Sequence, residues 1–262
     1  MAANNVFTMV NGRGWSRGFT NLLGNELARW WKTRMWWIQC LIWTILTIMY
    51  LRPWEGWMNA GTALWRYSDI TGLFQAIGVI VVMQGVLLGE KKDGTAAWVL
   101  SKPATRPALV LSKLIANSLG VLTTMLLLSG AILCVVWLIR GWGLPKPILF
   151  LETLGIIFLS HLWYLTLTLM LGALFNNRMV ILGISAGMLA LSDSLIVWYP
   201  LLRYTLPWYL LVKWGAQVLP VGITALMIGR SIDSYIPTIL VVAIECVLFV
   251  LIALWRFNRE EL

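Results

Sequence analysis

Apolar residues are gathered into six long runs separated by short polar or charged stretches: Met35–Leu51, Ile70–Leu88, Leu114–Ile139, Ile148–Phe175, Met179–Tyr199 and Ile236–Trp255. A helix rises about 1.5 Å per residue, so about 20 apolar residues cross a hydrocarbon core ~30 Å thick. The pattern therefore predicts an all-α integral membrane protein with six transmembrane helices. The first run, 17 residues, is short for a crossing and is expected to merge with the helix before it. The third and fourth are long and are expected to tilt or to project beyond the hydrocarbon.

Two further segments have helical character without crossing length. Within residues 17–34, Phe19, Leu23, Leu27, Trp30 and Trp31 recur at spacings of three and four, with Asn25, Glu26, Arg29 and Lys32 between them. That periodicity predicts an amphipathic helix on the membrane surface. The short apolar stretch Val6–Val10, followed by Arg13 and Arg17, does not read as a secretory signal. Residues 200–235 hold two apolar stretches too short to span, punctuated by Pro207 and Pro220. They are expected to form a re-entrant or interfacial helical pair on the outer side, sheltered by other helices. The whole chain, 1–262, thus reads as a single transmembrane domain.

Composition agrees with this. The chain is 60% hydrophobic and 12% charged with a mean hydropathy of +0.80, against about 25% charged in ordinary soluble domains. Lys and Arg fall 13 on the side that would carry both termini (Arg13, Arg17, Arg29, Lys32, Arg34, Lys91, Lys92, Lys102, Arg106, Lys113, Arg178, Arg256, Arg259) and 7 on the other. That asymmetry predicts cytoplasmic termini. The net charge of +9 then reports topology and affinity for anionic lipid, and nucleic acid is not an expected partner. Of 17 tryptophans, only Trp43 and Trp163 sit well inside a run; the rest fall near run ends, as an aromatic belt requires.

Several kinds of chemistry are excluded. With one histidine, His161, the chain cannot build a bis-histidine haem or a His-rich metal site. Cys40, Cys134 and Cys246 lie far apart within apolar runs, with neither metal-ligand spacing nor a disulfide framework. No GxxxxGK[ST] phosphate loop occurs, so any ATP would be bound by another chain. No catalytic residues and no metal ligands emerge. The intramembrane polar groups are His161 and Glu245, each near the middle of its run, with Gln75, Gln84 and, close to an outer end, Asp193. A charged group at such depth costs roughly 2.5–3.5 kcal/mol unless paired, so each is expected to face the bundle interior or be neutral. Either a translocation path or satisfied structural hydrogen bonds would accommodate them, and whether His161 meets Glu245 is left open by the sequence.

The conspicuous connection is residues 89–113, GEKKDGTAAWVLSKPATRPALVLSK, which joins the second run to the third. Its order Glu90, Gly94, Thr95, Leu100, Pro103, Arg106, Lys113 resembles the E-x3-G-T-x4-L-x2-P-x2-R-x6-K pattern of type 2 ABC-transporter permeases, the membrane subunits of ATP-driven exporters. The pattern occupies the same place between the second and third spans. The amphipathic helix with Asn25–Arg29 (NELAR) and the helical excursion before the last span fit as well. Glu90-Lys91 stands where members of that family commonly have Glu-Arg.

The resemblance implies a permease in a bacterial plasma (inner) membrane, paired with a second permease subunit as a homodimer or heterodimer. It would rest on cytoplasmic ABC ATPase subunits that hold ATP and Mg, itself carrying no cofactor and no enzyme activity. The loop residues and the surface helix, with Glu26, Arg29, Trp30 and Trp31, would couple to the ATPase, and membrane lipids would surround the whole. For Glu90, Gly94, Thr95 and Arg106 an internal brace stands slightly ahead of docking, because turn geometry and local ion pairs need no partner. Two other readings stand beside this one: a structural subunit of a larger membrane complex, and a lipid-modifying membrane enzyme, for which Asp193 and Glu152 are the available carboxylates.

Overall fold

A computed structural model describes residues 16–92, 104–143, 146–198 and 236–259, with the backbone alone given for Met35, Lys92 and 191–198. Every regular element among the described residues is helical.

The surface helix α1 (Phe19–Lys32) closes with Arg29 and Lys32 in its last turn, where cations complement the partial negative charge of the carbonyl end. Thr33 then turns to extended geometry and α2 (Met35–Leu51) begins. The two axes bend by 58°, so the short first run does not merge with the preceding helix into a straight span. Asn59 caps α3 (Ala60–Asp69) by accepting the Thr62 backbone N–H at 2.8 Å. A π-helical turn, Ile70–Phe74, leads into α4 (Gln75–Met83), and after Gln84-Gly85 the chain continues as α5 (Val86–Lys92). Together Ala60–Lys91 makes a 32-residue rod, far longer than the predicted run Ile70–Leu88.

Thr105 caps α6 (Arg106–Val121), with Pro107 in its first turn, where a missing N–H is harmless. A second π-helical turn, Leu122–Leu127, leads into α7 (Leu128–Ile139). α8 (Pro147–Leu174), also opened by a proline, is 28 residues long. α9 (Arg178–Trp198) and α10 (Ile236–Asn258) complete the described bundle.

Four helical units are long and apolar enough to cross a membrane: Ala60–Lys91, Arg106–Ile139, Pro147–Leu174 and Ile236–Asn258. They coincide with four of the six predicted runs. The bent pair of α1 and α2 supplies at most one more; α9 is 21 residues long, with side chains described only as far as Ala190. The expected helical pair at 200–235 lies outside the described residues.

α8 is the hub. It packs against α4, α5, α6, α9 and α10, and most of its side chains are buried. One apolar core, with Trp43, Met83, Leu109, Met125, Trp163, Leu167, Val242 and Phe257, joins these helices along most of their length. A second, around Leu51, Tyr67, Leu133, Trp137 and Ile157, closes the end opposite α1. Trp43 and Trp163, the two tryptophans expected inside runs, both belong to the first core.

Candidate functional site

At the end of the bundle that carries α1, the surface helix lies against α6. The fit requires glycine. A Cβ added at Gly120 would come within 2.5 Å of the Trp30 indole, so only a bare backbone admits the ring. Trp30 Nε1 donates to Asn117 Oδ1 at 3.2 Å, and Asn117 Nδ2 donates to the Lys113 carbonyl at 2.7 Å. One turn away, Lys113 Nζ reaches Glu26 Oε1 of α1 at 2.6 Å and Glu90 Oε1 of α5 at 2.8 Å. The Lys113 side chain is only 2% exposed. A buried ammonium is tolerated only where acceptors replace its water. Here two carboxylates supply them, so a single cation ties three helices together.

The other charges flanking the loop also turn inward. Lys91 Nζ donates to the Ala173 carbonyl at 2.9 Å and to Asn176 Oδ1 at 3.5 Å, closing the end of α8. Arg106 Nη1 donates to the carbonyls of Phe257 at 3.3 Å and Asn258 at 2.7 Å, closing the end of α10. The last carbonyls of a helix lack intrahelical donors, and cations there satisfy both hydrogen bonding and the dipole. Thus Glu90, Arg106 and Lys113 brace the chain internally. Gly94, Thr95, Leu100 and Pro103 of the same pattern lie outside the described residues.

Beside this charged knot is a cavity of about 480 Å³, walled by α1, the start of α2, α4, α5 and α6. Glu26, Glu90, Lys113 and Arg29 meet there with Val81, Val82 and Val86. Trp30 also lines a second cavity of about 290 Å³, together with Trp31, Trp36 and Leu119. Trp31 is exposed and contacts Trp36 edge to face, with ring centroids 5.2 Å apart.

Residues 33–262, from the end of α1 onward, match the model of a family described as "Protein of unknown function (DUF2705)". The chain belongs to the DUF2705 family. The matched region contains Glu90, Arg106 and Lys113, while Glu26 and Trp30 precede it. No match is found among curated proteins.

Within the bundle, the polar groups of this DUF2705 chain have separate partners. His161, fully buried, has Nε2 3.1 Å from the Thr71 carbonyl. Gln75 Nε2 donates to the Met125 carbonyl at 3.1 Å and to Ser129 Oγ at 3.0 Å. Thr71 and Met125 each lie in a π-helical turn. Such turns disturb the regular backbone pairing and leave carbonyls accessible to side chains. Glu245 Oε2 instead accepts Trp163 Nε1 at 2.7 Å, so Glu245 and His161 use different faces of α8. Gln84, at the break between α4 and α5, has its Oε1 buried without a partner among the described residues. Asp193 falls on α9, where only the backbone is described. Among the described residues, no three His, Cys, Asp or Glu side chains converge as metal ligands.

The opposite end holds a charge cluster that the sequence pattern did not single out. Glu55 pairs with Arg66 at 2.9 Å and Arg52 at 3.1 Å; Arg66 also donates to the Leu51 carbonyl at 3.1 Å. Arg140 donates to the carbonyls of Glu55 and Met58 and lies over the Trp142 ring. Burial works to raise the Glu55 carboxyl, but the hydrogen bonds and charges of Arg66 and Arg52 outweigh it and hold the group below the usual carboxylate range. The only signal in the sequence was the presence of Glu55 between Arg52 and Arg66. Lys113 gave a clearer one: a lone cation between Leu109–Leu111 and Leu114–Ile115 must find a partner.

Proposed function

We propose that this chain is the membrane-spanning subunit of an ATP-driven exporter, of the type 2 permease class that its loop pattern resembles. The observation that carries the reading is the Glu26–Lys113–Glu90 knot. Two residues of the loop pattern, Glu90 and Lys113, are joined through it to the surface helix. A surface helix locked in this way to the bases of two long helices moves with them as a rigid body. A cytoplasmic ATPase that closes on ATP would push on that unit, and α4, α5 and α6 would follow.

In this reading the chain crosses six times, through α2, α3–α5, α6–α7, α8, α9 and α10. Contacts at the helix ends favour the alternation. Lys91 meets the end of α8 and Arg106 the end of α10, and Thr168 of α8 lies 3.2 Å from Ser185 of α9 across a short turn. The excess of Lys and Arg at the α1 end supports a cytoplasmic position for that end. ATP and Mg belong to the partner ATPase, and this chain performs no catalysis. The exposed apolar faces of α2 and α10 are available to lipid or to a second permease subunit. The cargo class is a lipid, an amphiphilic small molecule, a peptide or an ion.

Purification of the native complex in mild detergent, with mass spectrometry of its components, tests the proposal. A stoichiometric ATPase carrying a phosphate loop is the expected result. Other membrane proteins in place of an ATPase would make the chain a structural subunit.

A further inference from the structure

The cavity beside the knot has unused polar groups of both signs. Glu26 gives only Oε1 to Lys113, leaving Oε2 without a partner among the described residues. Arg29, one turn along the same face of α1, lines the cavity, and its guanidinium has no partner among the described residues. Gln39 uses its Oε1 to accept Trp43 Nε1 at 3.3 Å, which leaves its amide N–H groups available to the cavity it lines. Lys113 is already compensated by two carboxylates and offers little to an incoming anion. The cavity is thus lined by a cation, amide donors and a carboxylate oxygen, with Arg29 about one helical turn from Glu26 along α1.

Its apolar wall has a direction. Val86 and then Val81 follow inward from Glu90, and the nine residue steps from Val81 to Glu90 span roughly 13 Å at helical rise. Val81 is 52% exposed, so the deep end opens toward the apolar face of the bundle. Trp30 and Thr33 line the cavity near the bend between surface helix and α2, with the indole against Asn117 and Gly120, inward of the charged groups along α6. A charged mouth leading to an apolar wall fits one end of an amphiphile, and about 480 Å³ is ample for a headgroup.

We propose that this cavity is a binding site for a zwitterionic phospholipid with a primary-amine headgroup. Its phosphate lies on Arg29 and the Gln39 amide, its ammonium on Glu26 Oε2, and its acyl chain along Val86 and Val81. A primary ammonium donates hydrogen bonds to a carboxylate, whereas a trimethylammonium cannot. A headgroup without a cation leaves Glu26 facing a phosphate. Bound there, the lipid clamps α1 to α4 and α5 alongside the knot. The site does not depend on transport or on an ATPase.

The test uses the full-length purified chain and follows tryptophan fluorescence, since Trp30 lines the cavity. Soluble short-chain phosphatidylethanolamine, phosphatidylcholine and phosphatidylglycerol are titrated, together with free phosphoethanolamine. Phosphatidylethanolamine is expected to saturate and to bind roughly tenfold or more tightly than the other two lipids. Arg29→Ala and Gln39→Glu are each expected to weaken it by several-fold to tenfold, with melting in the absence of lipid little changed. The second keeps an oxygen to accept Trp43 Nε1 while removing the amide donors. Free phosphoethanolamine is expected to compete only at far higher concentration. Equal affinity for the three lipids, or an unaltered Arg29→Ala titration, would overturn the proposal. Free phosphoethanolamine binding as tightly as the lipid would overturn it too, by making the site one for a soluble phosphoamine.

Discussion

Lys113 is a nearly buried cation held between two carboxylates, so its electrostatic stakes are high. Removing the cation leaves two carboxylates facing each other in a partly buried space, and breaking a buried pair from one side costs about 3–5 kcal/mol. The carboxylates retain some exposure, 18% and 14%, which places Lys113→Met near the lower end, about 3 kcal/mol. Neutralising all three groups, with Glu26→Gln, Lys113→Met and Glu90→Gln together, is expected to recover most of that loss. Thermal unfolding of the three proteins in detergent checks both expectations.

Glu55 gives a pH-dependent counterpart at the other end. Its folded carboxyl is held below the ordinary value of 4.5, so the hold on Arg66 and Arg52 is fully present above that value. It is lost as the pH falls through the lower, folded value. Acidification below about 4.5 is therefore expected to loosen the segment around Trp57, which Arg66 covers at 5.1 Å. Glu55→Gln should abolish the dependence, as read by tryptophan fluorescence between pH 6 and 3. Such partners were not legible in the sequence. Lys113 and Glu26 lie 87 positions apart, and Arg106 and Asn258 lie 152 apart; spacing identifies a residue that needs a partner without saying which one.

At the scale of elements, the long apolar runs were legible because membrane helices must satisfy their own backbone and show an apolar face to lipid or core. Their ends were not. Ala60–Asp69 carries Arg66 and Asp69 and is far less apolar than the run after it, yet it continues the same rod, because Arg66 finds Glu55 and the Leu51 carbonyl. The π-helical turns at Ile70–Phe74 and Leu122–Leu127 have no compositional signature either. The bend after Lys32 depends on where α1 sits, and α1 sits where Gly120 admits Trp30. Gly120→Ala is expected to lift α1 from α6 and speed amide hydrogen exchange across Phe19–Lys32. Pairing it with Trp30→Ala, which removes the clash, should restore much of the protection. Unchanged exchange in Gly120→Ala would sink this account of the docking.

For the molecule as a whole, the proposed topology, argued from the bias of Lys and Arg, predicts that the two ends lie on opposite sides of the membrane. Gly24 on α1 and Gly56 between α2 and α3 both have open space around them, so cysteine is tolerated at either. A membrane-impermeant maleimide applied to intact cells should label Gly56→Cys but reach Gly24→Cys only after permeabilisation. The loop pattern around Glu90–Lys113 stood out in the sequence by its charges, turn residues and prolines. Its described charges nonetheless point inward, so any surface it offers a partner would rest on a frame fixed from within. The most direct measurement is ATP hydrolysis by the purified native complex in lipid nanodiscs, comparing wild type with Glu26→Gln and Glu90→Gln. The account predicts a several-fold loss of turnover in each variant with subunit stoichiometry intact; turnover equal to wild type would contradict the knot as the coupling element.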